Sequence, residues 1–279
     1  MKKINRRSFL AAAGLTAAAL ALTACGGSAS STASSTASSA ASSEAASTSA
    51  AAELTTVEAG KLTMATNATF PPYEMTTDSG EIEGIDVDTA KAIAEKLGLE
   101  LQIDDMDFDA ALLSVQQGKA DIVMAGVTVT DERKAVMDFS DSYATGIQSV
   151  IVPEGSDIAS VDDLAGKKIG TQRGTTGYIY CSDDFGDDAV VAYDDGLTAV
   201  QALKNGQVDA VVIDNAPAKE YVAANPGLVI LDTSYAEEDY AIGMNKSNTA
   251  LLEAVNAALE ELKADGTLQS IVDKYITAE

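Results

Sequence analysis

Two stretches of the sequence decide the fold: residues 115–126, VQQGKADIVMAG, and residues 203–214, LKNGQVDAVVID, which align without a gap. Each stretch contains the end of a helix, a glycine, an aspartate before a hydrophobic run, and then a strand. A second repeat pairs Gly60-Lys61, before the strand that reaches Asn67, with Gly166-Lys167, before the strand that reaches Gln172. The same βα units used twice predict two lobes, and a chance recurrence of a common α/β turn is the alternative.

The rest of the chain alternates short β-like runs with amphipathic helical stretches, which predicts an α/β fold with parallel-rich sheets flanked by helices. The pattern predicts strands at 62–66 and 120–125 and helices at 86–97, 108–117, 251–263 and 268–275. The chain is expected to cross between the lobes twice, near 146–150 and near 236–241, which makes a hinge. Lobe 1 then takes 56–146 plus 241–279, and lobe 2 takes 147–240 including the hinge strands.

Composition excludes several classes of function. The chain has 18 basic and 43 acidic side chains, no histidine, and a formal net charge of -25. Such a surface repels phosphate backbones, so nucleic acid is not an expected partner. Without histidine the chain cannot use Ser-His-Asp hydrolysis, imidazole metal ligands or histidine acid–base chemistry.

The N-terminus is typical of an export signal at residues 1–24, with basic residues before the apolar stretch 9–22. That stretch is shorter than the ~20 residues that a spanning helix needs. It ends in LTACG (22–26), which resembles a lipobox, so Cys25 is expected to become the first mature residue and to carry a lipid anchor. An incidental cysteine behind an ordinary signal peptide is the alternative. RRSFL (6–10) looks like a twin-arginine motif, and the twin-arginine and general export routes stay equally open.

Residues 25–55 are almost only serine, alanine and threonine, with too few large apolar groups to offset the entropy of ordering. This segment is predicted to be a flexible tether between the membrane and a globular domain. The other cysteine, Cys181, then has no intramolecular partner. It is expected to be a small packed residue, because no histidine can activate it as a nucleophile.

Ligands of parallel α/β sheets bind outside the carboxyl ends of the strands. That rule indicates four places, two in each lobe: residues 67–70, 126–133, 172–177 and Asp214. A ligand that touches all four would bridge the lobes and close them about the hinge.

Two of these places carry opposite charges. Thr130 is expected to cap a short helix with Arg133 in its first turn, where a cation is disfavoured unless an anion binds beside it. A surface pair of Arg133 with a neighbouring carboxylate is the alternative. Asp214 ends an apolar strand, which is a costly position unless a cation or hydrogen-bond donors meet it. Capping of the next helix is the alternative role for Asp214.

The loop at 172–177, QRGTTG, is suited to presenting backbone amides to a negative group. It lacks the ending of a nucleotide-binding loop, and no cofactor or metal is expected. Phe70 and Phe108 offer apolar faces, so the four places together suit a zwitterion with a side chain.

Six motifs now carry a resemblance: ATNATFPPYE (65–74), IEGIDVDTAKAIAEKLG (82–98), MDFDAALL (106–113), AGVTVTDERKAVMDFSDSY (125–143), GTTG (174–177) and VIDNAP (212–217). Together they resemble the polar amino-acid-binding proteins of ABC importers, which are bacterial extracellular solute-binding proteins of family 3. The resemblance covers about 62–275 and implies the two-lobed fold of type II periplasmic binding proteins. It also implies an extracytoplasmic, lipid-anchored monomer that hands a free amino acid to the permease and ATPase of an importer.

The resemblance further implies a role for each contact residue. Arg133 would bind the α-carboxylate with help from the backbone at Thr128 and Thr176, and Thr175 is expected to be a further ligand contact. The α-ammonium would meet Asp214, the Gly126 carbonyl and the Thr128 hydroxyl. Phe70 and Phe108 would flank the side chain of the ligand, and Asn67 with Gln172 would touch its far end.

Two of these residues depart from the family. Many relatives that select basic or amide side chains have aspartate at the position of Asn67, and glutamine receptors have lysine at that of Gln172. Both replacements remove charge and favour an uncharged polar amino acid. A dehydratase-like enzyme with Asp214 as acid or base, and a ligand-sensing module, are the competing functions on the same scaffold.

Overall fold

The computed structural model describes residues 54–276. The predicted export signal at 1–24, Cys25 and the tether up to residue 53 lie outside the described residues, as do 277–279. The strands are β1 (Lys61–Thr66), β2 (Thr69–Phe70), β3 (Glu74–Thr76), β4 (Ile82–Glu83), β5 (Glu100–Asp105), β6 (Ile122–Val123), β7 (Asp138–Phe139), β8 (Ala144–Pro153), β9 (Ile169–Gln172), β10 (Val190–Tyr193), β11 (Ala210–Asp214), β12 (Leu228–Ile230), β13 (Ala236–Tyr240) and β14 (Gly243–Met244). The helices are α1 (Ile85–Leu97), α2 (Phe108–Gln116), α3 (Asp131–Val136), α4 (Thr176–Phe185), α5 (Gly196–Lys204), α6 (Asn215–Ala224), α7 (Thr249–Ala264) and α8 (Thr267–Tyr275).

The first lobe is built on a sheet with the strand order β5-β1-β6-β14-β7. β1 runs parallel to β5 and β6, and β14 runs antiparallel to β6 and β7. Leu62 and Met64 pack in one core with α1 and α7, whereas Ala65 packs with α2 in another. Both faces of β1 are therefore covered by helices, as the hydrophobic run of that strand requires.

The second lobe repeats this arrangement. Its sheet has the order β10-β9-β11-β8-β12, with β13 also paired to β8, and β9 runs parallel to β10 and β11. β9, β10 and β11 thus occupy the places of β1, β5 and β6. The two aligned stretches of sequence end on β6 and β11, the third strand of each unit, which confirms the internal repeat.

The repeated aspartates explain why the two stretches look alike. Asp121 accepts hydrogen bonds from the backbone N–H groups of Val57, at 2.7 Å, and Thr63, at 2.8 Å. Asp209 accepts one from the N–H of Lys168 at 2.7 Å. In each lobe the aspartate holds the beginning of the neighbouring parallel strand, which fixes the register of the repeated unit.

β8 and β13 carry the chain between the two sheets. They pair antiparallel from Ala144 opposite Tyr240 to Gln148 opposite Ala236, and β14 follows directly in the first sheet. Two extended crossings side by side form a connection about which the lobes can rotate. The predicted lobe limits at 146/147 and 240/241 stay a prediction.

Most predicted elements lie within one or two residues of the observed ones, including α1, which ends at Gly98 in the left-handed conformation at φ 70°. The strand predicted at 120–125 is the exception, because β6 spans only Ile122–Val123. After it the chain turns at Gly126, at φ 55°, and leaves the sheet toward the second lobe.

Candidate functional site

A small cavity lies between the two lobes, at the carboxyl ends of β1, β6, β9 and β11. All four predicted loops meet there, and every predicted contact residue lines the cavity. Its lining residues are Asn67, Phe70, Glu74, Phe108, Ala125, Gly126, Thr128, Arg133, Gln148, Gln172, Thr175, Thr176, Val212, Ile213 and Asp214.

Arg133 is buried in the wall of the cavity, with 8% of its surface exposed. The hydroxyl of Thr130 accepts from the Arg133 backbone N–H at 3.2 Å and caps α3 as predicted. The guanidinium donates to the carbonyls of Thr128, at 2.8 Å, and Gly174, at 3.1 Å, and lies 5.3 Å from the ring centroid of Phe108. This burial excludes the surface pair that the sequence left open.

Asp214 lies on the opposite side of the cavity and is 2% exposed. One carboxylate oxygen accepts from the N–H of Ala216 at 2.9 Å and caps α6, and the other accepts from the N–H of Ile147 at 2.7 Å. Capping is thus confirmed, and each oxygen keeps a second lone pair for a further donor. Burial raises the pKa of Asp214 to about 6, so the side chain is a carboxylate at neutral pH.

A polar cluster links the two lobes to the hinge strands. The hydroxyls of Thr128 and Thr176 lie 3.3 Å apart across the cleft. Thr128 also donates to the carboxylate of Glu238 at 3.1 Å, and the amide of Gln148 donates to the same oxygen at 3.0 Å. Glu238 therefore places a buried carboxylate beside the Arg133 half of the cavity. Burial lowers the pKa of the Arg133 guanidinium, and the charge of Glu238 partly opposes that shift.

The side chains of Asn67 and Gln172 meet at the other end of the cavity. The amide nitrogen of Gln172 donates to the amide oxygen of Asn67 at 2.8 Å and to the carbonyl of Asp194 at 3.2 Å. The amide nitrogen of Asn67 donates to the carbonyl of Met106 at 3.0 Å. Two neutral amides from opposite lobes thus form this end of the wall.

Thr175 and Gly126 fix the backbone of the two loops on either side of the cavity. The hydroxyl of Thr175 accepts from the N–H of Tyr178 at 3.3 Å and caps α4, so that this helix begins at the cavity. A Cβ atom at Gly126 would lie 2.8 Å from the ring of Phe70, and the positive φ there also favours glycine. Phe70 packs against the cores of both lobes.

Sequence reasoning missed several members of the site: Glu74, Ala125, Gln148, Val212, Ile213 and, beside the cavity, Glu238. On β13 the structure buries Glu238 and Tyr240 and exposes Glu237 and Asp239, but three consecutive acidic residues show no such alternation in the sequence.

The lobes also touch beyond the cavity. The hydroxyl of Tyr221, on α6, donates to the carbonyl of Thr69, on β2, at 2.6 Å. Together with the contacts of Arg133 and Gln172, this bond holds the two lobes against each other.

The fold and the cleft define a two-lobed solute-binding protein of the type II periplasmic class. The family model of the bacterial extracellular solute-binding proteins, family 3, matches residues 62–278. The chain therefore belongs to that family, whose members are transport proteins and not enzymes.

Individual relatives and a solved structure support the same family. The chain is 33% identical to a probable histidine-binding protein of Neisseria gonorrhoeae, over 99% of this chain and 98% of the relative. It is 34% identical to the L-cystine-binding protein TcyJ of Escherichia coli, over 80% of this chain and 85% of the relative. A solved structure of an ancestral arginine-binding protein bound to glutamine matches with a TM-score of 0.75 and 44% identity, over 78% of this chain and 99% of the other.

Within residues 54–276, no helix combines the length and the apolar character needed to cross a membrane.

Proposed function

We propose that this chain binds a free L-amino acid in the cleft and delivers it to the permease and ATPase of an ABC importer. The carrying observation is the pair of opposite charges, Arg133 and Asp214, buried on opposite sides of one cavity. A small zwitterion is the solute that matches this arrangement. The names of the relatives, which include histidine-, cystine-, arginine- and glutamine-binding proteins, support an amino acid as that solute.

The α-carboxylate is assigned to Arg133. Its planar guanidinium can hold both oxygens of a carboxylate, and the exchange of a carbonyl partner for a carboxylate strengthens the hydrogen bonds. The backbone at Thr128, in the loop before α3, and at Thr175 and Thr176, at the beginning of α4, adds donors.

The α-ammonium is assigned to Asp214, the Gly126 carbonyl and the Thr128 hydroxyl. Each carboxylate oxygen of Asp214 accepts one backbone N–H, and the Tyr240 hydroxyl lies nearby, so the carboxylate keeps the capacity to bind a cation. Phe70 and Phe108 form the apolar walls for the rest of the ligand.

The side chain of the ligand is proposed to be polar and uncharged. The far end of the cavity is formed by the neutral amides of Asn67 and Gln172, which already hydrogen-bond to each other at 2.8 Å. Amides can both donate to and accept from a polar side chain, but neither supplies a charge to pair with an ionised one.

We also propose that the protein is extracytoplasmic, monomeric and held at the cell membrane by acyl chains on Cys25. The basic and apolar residues before Cys25 and the lipobox-like LTACG support this proposal.

The first prediction concerns the ligand. In a thermal-shift screen of the common L-amino acids, uncharged polar ones such as L-glutamine are expected to raise the melting temperature most. A ligand stabilises the folded state by an amount that grows with the logarithm of its concentration relative to its dissociation constant. A larger shift with L-arginine would contradict the uncharged class, and no shift with any amino acid would contradict the function.

Truncation of the carboxylate partner tests the site. Arg133→Ala is expected to weaken binding of the selected amino acid by about 2–5 kcal/mol, because the ligand carboxylate is then desolvated and unpaired. Calorimetry measures the change, and Arg173→Ala is the matched control, since Arg173 is exposed on the adjoining loop. An equal dissociation constant for Arg133→Ala and the wild type would remove Arg133 from the site.

Asp214 predicts a dependence on pH. Its pKa is about 6 because of burial, and only the carboxylate attracts the ligand ammonium. Affinity is therefore expected to be level from about pH 7 to about pH 8, where the ligand ammonium is still protonated, and to fall about tenfold per unit below pH 6. Calorimetry at several pH values should show weaker binding without this fall in Asp214→Asn. The same slope in that variant would assign the titration to another group.

The anchor is tested by Cys25→Ser, which is expected to release the protein from the membrane fraction, because the acyl chains then have no attachment site. Fractionation and immunoblotting measure the distribution, with Cys181→Ser as the control that stays attached. Membrane retention of Cys25→Ser would argue against lipidation.

A further inference from the structure

Two acidic side chains lie buried against each other behind the Gly126 turn. Glu74 is on β3 and also lines the cavity, and Asp86 is in the first turn of α1. Both residues are 0% exposed. Two carboxylates in such a place would repel each other without solvent to screen them.

The hydrogen-bond donors around the pair are unevenly distributed. One oxygen of Asp86 accepts from the N–H of Gly126 at 3.0 Å and from the hydroxyl of Tyr143 at 2.8 Å. Within residues 54–276 no N–H or O–H group donates to either oxygen of Glu74 or to the second oxygen of Asp86. The backbone N–H of Asp86 donates to the carbonyl of Tyr73, the neighbour of Glu74, at 2.9 Å, so the two buried carboxyl groups lie side by side, and each shifts the pKa of the other. A bond between them requires a proton on one of the two.

The surroundings favour Glu74 as the protonated partner. Asp86 has two donors and lies at the N-terminus of a 13-residue helix, where a negative charge is stabilised. The titratable groups that face the pair are acids and phenols, not cations: Asp105, Tyr73, Tyr143 and Tyr221. Burial raises the pKa of Glu74 well above its ordinary value, whereas the pKa of Asp86 is about 6.

We propose that Glu74 and Asp86 share one proton, so that Glu74 is a neutral acid in the cavity wall and Asp86 is the single anion that positions the Gly126 turn. Asp86 holds the N–H of Gly126, next to the carbonyl assigned to the ligand ammonium. Neutral Glu74 keeps a second negative charge away from the side chain of the ligand. This functional role rests on the proposed function, whereas the shared proton does not.

Infrared spectroscopy tests the proton directly in the wild-type protein. At about pH 8, where an ordinary glutamate is fully ionised, the C=O stretching band of a protonated carboxylic acid is expected. The band should be lost in Glu74→Gln and retained in Asp214→Asn, the matched control with another buried carboxyl of the same cavity. Absence of the band from the wild type would overturn the proposal, even if Glu74→Gln does not fold.

Thermal unfolding against pH gives a second measurement. As pH rises above about 4.5, unfolded Glu74 releases its proton while folded Glu74 keeps it, so the wild type loses stability. Glu74→Gln cannot release a proton and escapes this loss. The melting temperature of the variant minus that of the wild type should therefore be larger at pH 8 than at pH 5. An equal difference at both pH values would overturn the proposal.

Ligand selectivity separates the two proposals. If Glu74 were an anion serving a cationic side chain, Glu74→Gln would weaken binding of L-arginine at least about tenfold more than binding of L-glutamine. That selective loss of L-arginine binding would overturn the proposal that Glu74 is a neutral acid. A protein that binds no amino acid but shows the acid band would instead overturn the proposed function and support the shared proton.

Discussion

The burial of the Arg133 guanidinium is the constraint on which the rest of the cleft depends. A buried cation must replace its lost hydrogen bonds to water with hydrogen bonds to the protein. The Arg133 guanidinium donates to the backbone carbonyls of Thr128 in one lobe and Gly174 in the other. Desolvation lowers the pKa of Arg133, and the nearby charge of Glu238 opposes that shift. Because an arginine stays protonated in proteins, the cavity carries a permanent positive charge on one side.

The bipolar cleft follows from a small difference between two copies of one unit. β6 and β11 are equivalent strands. The aligned position near their carboxyl ends is Gly126 in one lobe and Asp214 in the other. After β6, the positive φ at Gly126 lets the backbone turn out of the sheet into the loop that leads to Arg133 on α3. β11 instead ends in the carboxylate of Asp214. Equal scaffolds, held by Asp121 and Asp209, thus present opposite charges to the same space.

This dependence on strand ends explains what could be predicted from the sequence. Helix periodicity placed α1 and α7, and the rule for parallel sheets led to the loops with Arg133 and Asp214, because local order along the chain determines both. Gln148, Glu238 and Glu74 escaped for a different reason. The burial of Gln148 and Glu238 arises from the pairing of β8 with the distant strand β13, and that of Glu74 from the packing of β3 beside α1. The residue type alone gives no signal of either. The helix caps by Thr130 and Asp214 could be predicted because they are local, but partners from distant segments could not, as with the N–H of Ile147 that donates to Asp214.

The contacts between the lobes bear on how a solute can close them. A ligand shifts such an equilibrium only through the contacts that it gains in the closed form. Part of the closed interface needs no solute, namely the bond from Tyr221 to the Thr69 carbonyl and the packing of Phe70 against both cores. These contacts lower the binding free energy that the solute must contribute to closure. In the proposed function, the charged pair of Arg133 and Asp214 would then act mainly in selection, since a solute needs both an anionic and a cationic end to satisfy the two sides together.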